Sequence, residues 1–248
     1  MRSKSLVALL CSLVVVIAFS GPVFAGNDIS LPSTFTQSQF DDLSRELGLA
    51  ISYVPLAPAA PLGLLGFDIG IEGTAAHIDN NKSFWTDAIG KTPPSWLAFP
   101  KIHAQKGLPF GFDVGLVYAK APGTNVGLVG GELKWAILKG GVASPAIAIR
   151  GDYTKLLGVS DIDMGVYGAD ISISKGFGFV TPYAGYGVVW ISSQDKSSVG
   201  NNININTFNS NESKGFVGVK FSVFIMSLVA EADFSKVPSY SGRLNFSF

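Results

Sequence analysis

The sequence predicts an all-β protein: a transmembrane, antiparallel, up-and-down β-barrel of about ten strands, preceded by a short helical, Pro-rich N-terminal segment. Three observations carry that expectation. An export signal opens the chain, hydropathy alternates with period two over most of residues 65–248, and the connections between alternating runs are short and long in turn.

Composition sets the bounds. Of 248 residues, 47% are hydrophobic and 15% charged, against about 25% charged in a typical soluble domain. Lys+Arg and Asp+Glu are equal at 18 each, which argues against a nucleic-acid partner or a polybasic membrane attachment. The 29 glycines suit a curved, closely packed sheet better than helices.

Residues 1–25 have the pattern of a cleaved signal peptide. Arg2 and Lys4 supply the positive start, an apolar run from Leu6 to Phe19 is broken by Ser12, and Val23-Phe24-Ala25 is a small-residue site cut after Ala25. The run is shorter than the roughly 20 residues a spanning helix needs. The sole cysteine, Cys11, lies within it, and Leu10 stands where lipid attachment would want a small residue. The mature chain is therefore expected to have no disulfide, thiolate nucleophile or cysteine metal site.

Residues 26–64 form a distinct lead segment. Thr36 and Gln39 make a capping box, Phe40, Leu43 and Leu47 share a helical face, and Gly48 is the expected stop. Pro55, Pro58 and Pro61 then exclude a central strand. This segment either lies in the periplasm or plugs a lumen; an edge strand over residues 49–54 is the alternative.

Residues 65–248 alternate. Phe67, Ile69 and Ile71 oppose Asp68, Gly70 and Glu72; Val114, Leu116 and Tyr118 oppose Asp113 and Gly115; Leu133 and Trp135 oppose Glu132 and Lys134; Val217, Val219 and Phe221 oppose Gly218 and Lys220. About ten such runs of roughly 9 to 15 residues match tilted spanning strands, with 8 or 12 also open. Connections at 106–108, 139–144, 175–178 and 226–227 are brief, while 79–95 and 194–213 are long and polar, as surface loops would be. An even count returns the C-terminus to its starting side. Aromatics sort to strand ends: Trp96, Tyr118, Tyr153, Trp190 and Tyr240 near one rim, Phe67, Phe110, Trp135, Phe179, Phe224 and Phe248 near the other, as two membrane interfaces favour.

The inward face is expected to carry Asp68, Glu72, Lys101, His103, Asp113, Glu132, Lys134, Arg150, Asp152, Asp170, Lys220, Glu231, Asp233 and Arg243. Either these pair to fill a narrow lumen or some set selectivity in a polar conduit. His77 near Asp79 is the one arrangement suggesting a rim enzyme acting on lipid or peptide; a solvated loop margin is the plainer reading. No His-x-x-x-His, calcium loop or phosphate loop is present. Neither cofactor nor metal is expected, and Asp161 and Asp163 read as solvated loop charges.

The ending Tyr240-x-Gly242-x-Leu244-x-Phe246-x-Phe248 resembles the last strand of bacterial outer-membrane β-barrel proteins. The resemblance covers the architecture from about Leu65 onward and marks no subfamily. It implies a Gram-negative outer-membrane location, lipid as obligate partner, and Tyr240, Leu244, Phe246 and Phe248 as the signal read by the barrel-assembly machinery. The expected function is a non-enzymatic structural or surface-binding barrel. The alternative is a narrow, porin-like channel for small or amphipathic solutes, with solute or surface ligand undefined.

Overall fold

The computed structural model describes residues 28–197 and 205–247; the expected signal segment, 1–25, and the terminal Phe248 lie outside them. Helix α1 (Gln37–Ile51) starts at the Thr36 capping box. Gln39 N donates to Thr36 Oγ1 at 3.3 Å, and Thr36 N donates to Gln39 Oε1 at 3.0 Å, satisfying two otherwise orphaned donors. Phe40, Leu43 and Leu47 are buried along one side. Contrary to expectation the helix runs through Gly48 to Ile51. A Cβ at position 48 would stand 2.7 Å from Ile191 Cγ2, so this glycine serves close approach to a wall and not termination. Residues 49–51 complete the helix, and residues 52–66 join no ladder, so no edge strand forms there.

Among the described residues ten strands come next: β1 (Phe67–His77), β2 (Trp96–Gly107), β3 (Phe112–Lys120), β4 (Gly127–Lys139), β5 (Ala146–Leu157), β6 (Ile162–Ser174), β7 (Val180–Asp195), β8 (Phe208–Val223), β9 (Met226–Phe234) and β10 (Ser239–Ser247). Each pairs antiparallel with its chain neighbours, and β1 closes on β10 with Glu72 opposite Arg243. Closure leaves no unpaired edge. One end of the barrel carries the tight turns, including those at Phe110 (φ 63) and Phe224 (φ 55). The other end carries the two long connections and is called the outer end below.

Both long connections depart from simple loops. Residues 78–95 contain a second helix, α2 (Ser83–Ile89), whose Phe84, Trp85, Ala88 and Ile89 are buried. The expected loop at 194–213 is shorter, because β7 runs on to Asp195 and β8 begins at Phe208. Period two continues there: Phe208, Glu212, Lys214 and Phe216 are buried while Asn209, Asn211 and Ser213 are exposed.

The wall has two chemically opposite faces. Outward stand Ile102, Leu116, Leu133, Ile171 and Tyr186 among many exposed apolar residues. The inward face is split into two tiers. Toward the outer end it is apolar, with Val117, Leu128, Leu156, Val166 and Ile191 packed around α1 and α2 in one core cluster. Toward the middle and the tight-turn end it is charged. Only the charged tier is anticipated by the sequence.

Candidate functional site: the occupied lumen

The N-terminal segment enters at the outer rim and descends. Ile29 exchanges hydrogen bonds with the Asn125 side chain at 3.0 Å, Leu31 N donates to Asp161 at 3.0 Å, and Ser30 N donates to Ala88 O at 3.0 Å. All three partners lie in outer connections. Asp161 is thus a ligand for the segment's backbone, and Asp163 pairs with Lys155; neither is merely solvated. Gln37 and Gln39 reach Asn206 and Asp87 of the same end. Helix α1 then fills the apolar tier, with Ser44 bonded to Ser193 at 2.9 Å and Arg45 to Glu212 at 3.1 Å. Glu46 accepts from Trp85 Nε1 at 2.8 Å. Desolvation pushes its carboxyl above the ordinary range, against the lowering effect of that bond and of the Asp79 amide.

Below α1 the chain has no secondary structure of its own, so its backbone groups need partners from elsewhere. The charged tier provides them. Lys214 Nζ donates to Tyr53 O at 2.7 Å, Arg243 Nη2 to Leu56 O at 2.5 Å, and Lys134 Nζ to Pro58 O and Ala60 O at 3.0 and 3.2 Å. The acids take the amides: Leu56 N donates to Glu231 at 3.0 Å and Leu62 N to Asp113 at 3.1 Å. Leu56 is fully buried with φ 46, a left-handed elbow that costs a branched side chain free energy. Arg243 and Glu231 hold it from both sides.

The same residues pair with one another. Lys134 meets Asp113 at 2.9 Å, Arg150 bridges Glu132 and Asp170 at 3.0 Å each, and Lys214 meets Asp233 at 3.0 Å. Lys101 and Arg243 flank Glu72 at 3.7 and 3.8 Å. His103 Nδ1 lies 3.9 Å from Asp68 and 3.0 Å from Arg243 Nη1, and Lys220 approaches Asp68 at 4.0 Å. Asp152 and Asp170 border a small cavity beside Tyr53 and Lys214. All fourteen predicted inward residues are at least half-buried within the lumen.

Sequence reasoning missed Lys214 and Glu212, because residues 194–213 were assigned to a loop and the next alternating run was read from Val217. Their alternation with Phe208 and Phe216 was the available signal. Tyr183, which donates to Glu231 at 2.6 Å, was also missed, although it alternates with Pro182 and Ala184; Gln105, on the same face as Lys101 and His103 by alternation, donates to Glu132 at 2.6 Å. At the rim, His77 and Asp79 part: His77 packs at a tilt against Trp96 with ring centroids 4.7 Å apart, and Asp79 turns to Lys82 at 3.7 Å. Among the described residues no group of three or more His, Cys, Asp and Glu is placed to hold a metal. Along β10, Tyr240 and Phe246 are exposed on the outer face and Leu244 shares it half-buried.

A scan of protein-family models and a search of curated proteins both return no match. Among solved structures, the chain is similar to the N-terminal β-barrel domain of Pseudomonas aeruginosa OprF, at 12% identity over 75% of this chain and 99% of that one, TM-score 0.33. It is also similar to the outer membrane protein OprG of the same organism, at 11% identity over 77% and 99%, TM-score 0.35. A third is Ail of Yersinia pestis in complex with the heparin analogue sucrose octasulfate, at 11% over 74% and 97%, TM-score 0.29.

Proposed function

We propose that this protein is an integral outer-membrane barrel, sealed by its own N-terminal segment, that acts through its wall and outer face and performs neither catalysis nor open solute passage. One observation carries the reading. Polar side chains bind the N-terminal backbone inside, while the outside of the same strands is a belt of exposed Ile, Leu, Val and aromatic residues. Such a belt has no cover in water, and lipid supplies one. Closed strand pairing meets the requirement that lipid imposes on every backbone N–H and C=O. Export by residues 1–25, and recognition of Tyr240, Leu244, Phe246 and Phe248 by the barrel-assembly machinery, belong to the same proposal.

The sealed state follows from the lumen contents. Helix α1 fills the outer tier, residues 52–64 cross the charged tier, and the cavity beside Asp152 holds only about 20 Å³, roughly one water. Planar-bilayer recording of the full chain, shown to be folded by a heat-dependent shift in SDS gel mobility, tests this. Silence is expected. Reproducible single-channel steps would replace the proposal with the narrow-channel reading, and absence of any heat shift would remove the membrane barrel itself.

A further inference from the structure

A second cavity lies outside the lumen. It is an open groove of about 410 Å³ on the outside of the wall, over β6, β7 and β8 near the outer end. Its sides are Tyr167 and Trp190, neighbours in the strand register, with Asn211 next in line beyond Trp190. One row nearer the rim, Ser192 lies opposite Asn209, and the β6 position beside them is Gly165. That glycine leaves room: a Cβ there would stand 3.1 Å from the Tyr153 hydroxyl, which leans over it. Tyr153 and Tyr167 extend the aromatic row, with ring centroids 4.7 Å apart.

Three properties of this groove define what would fill it. First, it has aromatic faces beside side-chain amides and hydroxyls, the combination that takes an amphipathic ring by stacking and hydrogen bonding together. Second, its lining is uncharged. On this face Lys155 and Asp163 are bonded to each other. Third, it sits where the outer surface changes character. Below Trp190 the outward positions of β7 are Val188 and Tyr186; above it they are Ser192, opposite Asn209 on β8, and Gln194, opposite Asp163 on β6. A groove at that level faces lipid headgroups.

From these we infer that the Tyr167–Trp190–Asn211 groove is a binding site for the neutral sugar headgroup of a glycolipid in the outer leaflet. Trp190 and Tyr167 stack on the ring's C–H face, while Asn209, Asn211 and Ser192 exchange hydrogen bonds with its hydroxyls. The lipid chain runs down the apolar wall past Val188. The inference rests on the proposed membrane location of the barrel.

The test uses the full-length protein refolded in phosphatidylcholine vesicles, with digalactosyl diacylglycerol as a neutral glycolipid probe and phosphatidylglycerol as the phosphate-bearing control. Lipid retained per barrel is read by native mass spectrometry. Retention of the glycolipid over phosphatidylglycerol is expected, and Trp190→Leu and Asn209→Ala/Asn211→Ala should each weaken it by about tenfold, the scale of a lost stack or pair of hydrogen bonds. Both variants leave the lumen intact, so their heat-dependent gel shift should equal that of the parent. Equal retention of the two lipids overturns the site, as does unchanged glycolipid retention in both variants. Displacement by free digalactose at matching concentration would overturn the lipid-linked assignment. Failure of the parent to enter vesicles or show a heat shift would instead sink the membrane reading on which the site depends.

Discussion

At the scale of single residues, Leu56 shows two effects of opposite sign at one position. Its side chain is fully buried, and truncating a buried Leu to Ala costs about 2–5 kcal/mol. Its backbone is left-handed at φ 46, which glycine adopts without the roughly 1 kcal/mol penalty borne by residues with a Cβ. Leu56→Ala therefore loses packing and keeps the strain, while Leu56→Gly loses packing and releases it. Urea unfolding in vesicles should show the glycine variant to be the more stable of the two by about 1 kcal/mol; the reverse order would mean that the elbow stores no strain. Glu46 offers a residue-scale prediction in pH. Its folded pKa is raised, chiefly by desolvation, so its protonated form is the one favoured in the closed structure. The stability it adds is present below its ordinary value of 4.5 and fades as pH rises through the raised one. With the other three tryptophans replaced by Phe, acrylamide quenching of Trp85 should increase as pH rises above the ordinary carboxylate value of 4.5. Glu46→Gln, which keeps an acceptor for Trp85 Nε1, should flatten that rise.

At the scale of elements, the relation between the lead segment and the wall explains both what was legible and what was not. The strands were visible because an apolar outer face and a polar inner face enforce period two, and α1 was visible through Thr36, Gln39 and its apolar spacing. The stop at Gly48 was misread, because a glycine reads the same in sequence whether it ends a helix or lets the helix approach Ile191. Alternation grouped the charged residues on one face of the strands but gave no reason for them. Mutual pairing of Asp113 and Lys134 is only half of their role, since Leu62, Pro58 and Ala60 of the segment use the same two groups. No local pattern encodes a contact between residues some 50 to 75 positions apart. The consequence is measurable. Lys134→Met removes the partner of a buried carboxylate and strips two carbonyls of their donor, and should cost about 3–5 kcal/mol. Pairing it with Asp113→Asn removes the orphaned charge and should recover part of that loss, though not the carbonyl bonds. Full recovery in the double variant would mean that the ion pair is independent of the segment.

At the scale of the whole molecule, the direction of the lead segment is the feature with the widest consequence. β1 begins at the tight-turn end, yet residues 29–31 are fastened to connections at the opposite end. The segment therefore traverses the entire barrel before the first strand starts, and the wall closes around it where β10 meets β1. This also accounts for the split lumen: a capped amphipathic helix fills the outer tier by apolar packing, and the Pro-rich stretch below it relies on ionic side chains for its backbone. A barrel with an empty or water-filled interior would need neither arrangement. The topology places Ser33 and Thr34, both exposed, on the same face as α2, while exposed Ser144 lies in the turn between β4 and β5 at the other end. The sole native cysteine is Cys11, within the expected signal segment, so an introduced thiol reports on one position. In intact cells a membrane-impermeant maleimide should label Ser33→Cys, and should reach Ser144→Cys only after the outer membrane is opened. Labelling of both alike would show that the segment is not held within a membrane-embedded wall. Labelling of Ser144→Cys alone would invert the barrel and put the sealed mouth, with its two helices, on the periplasmic side.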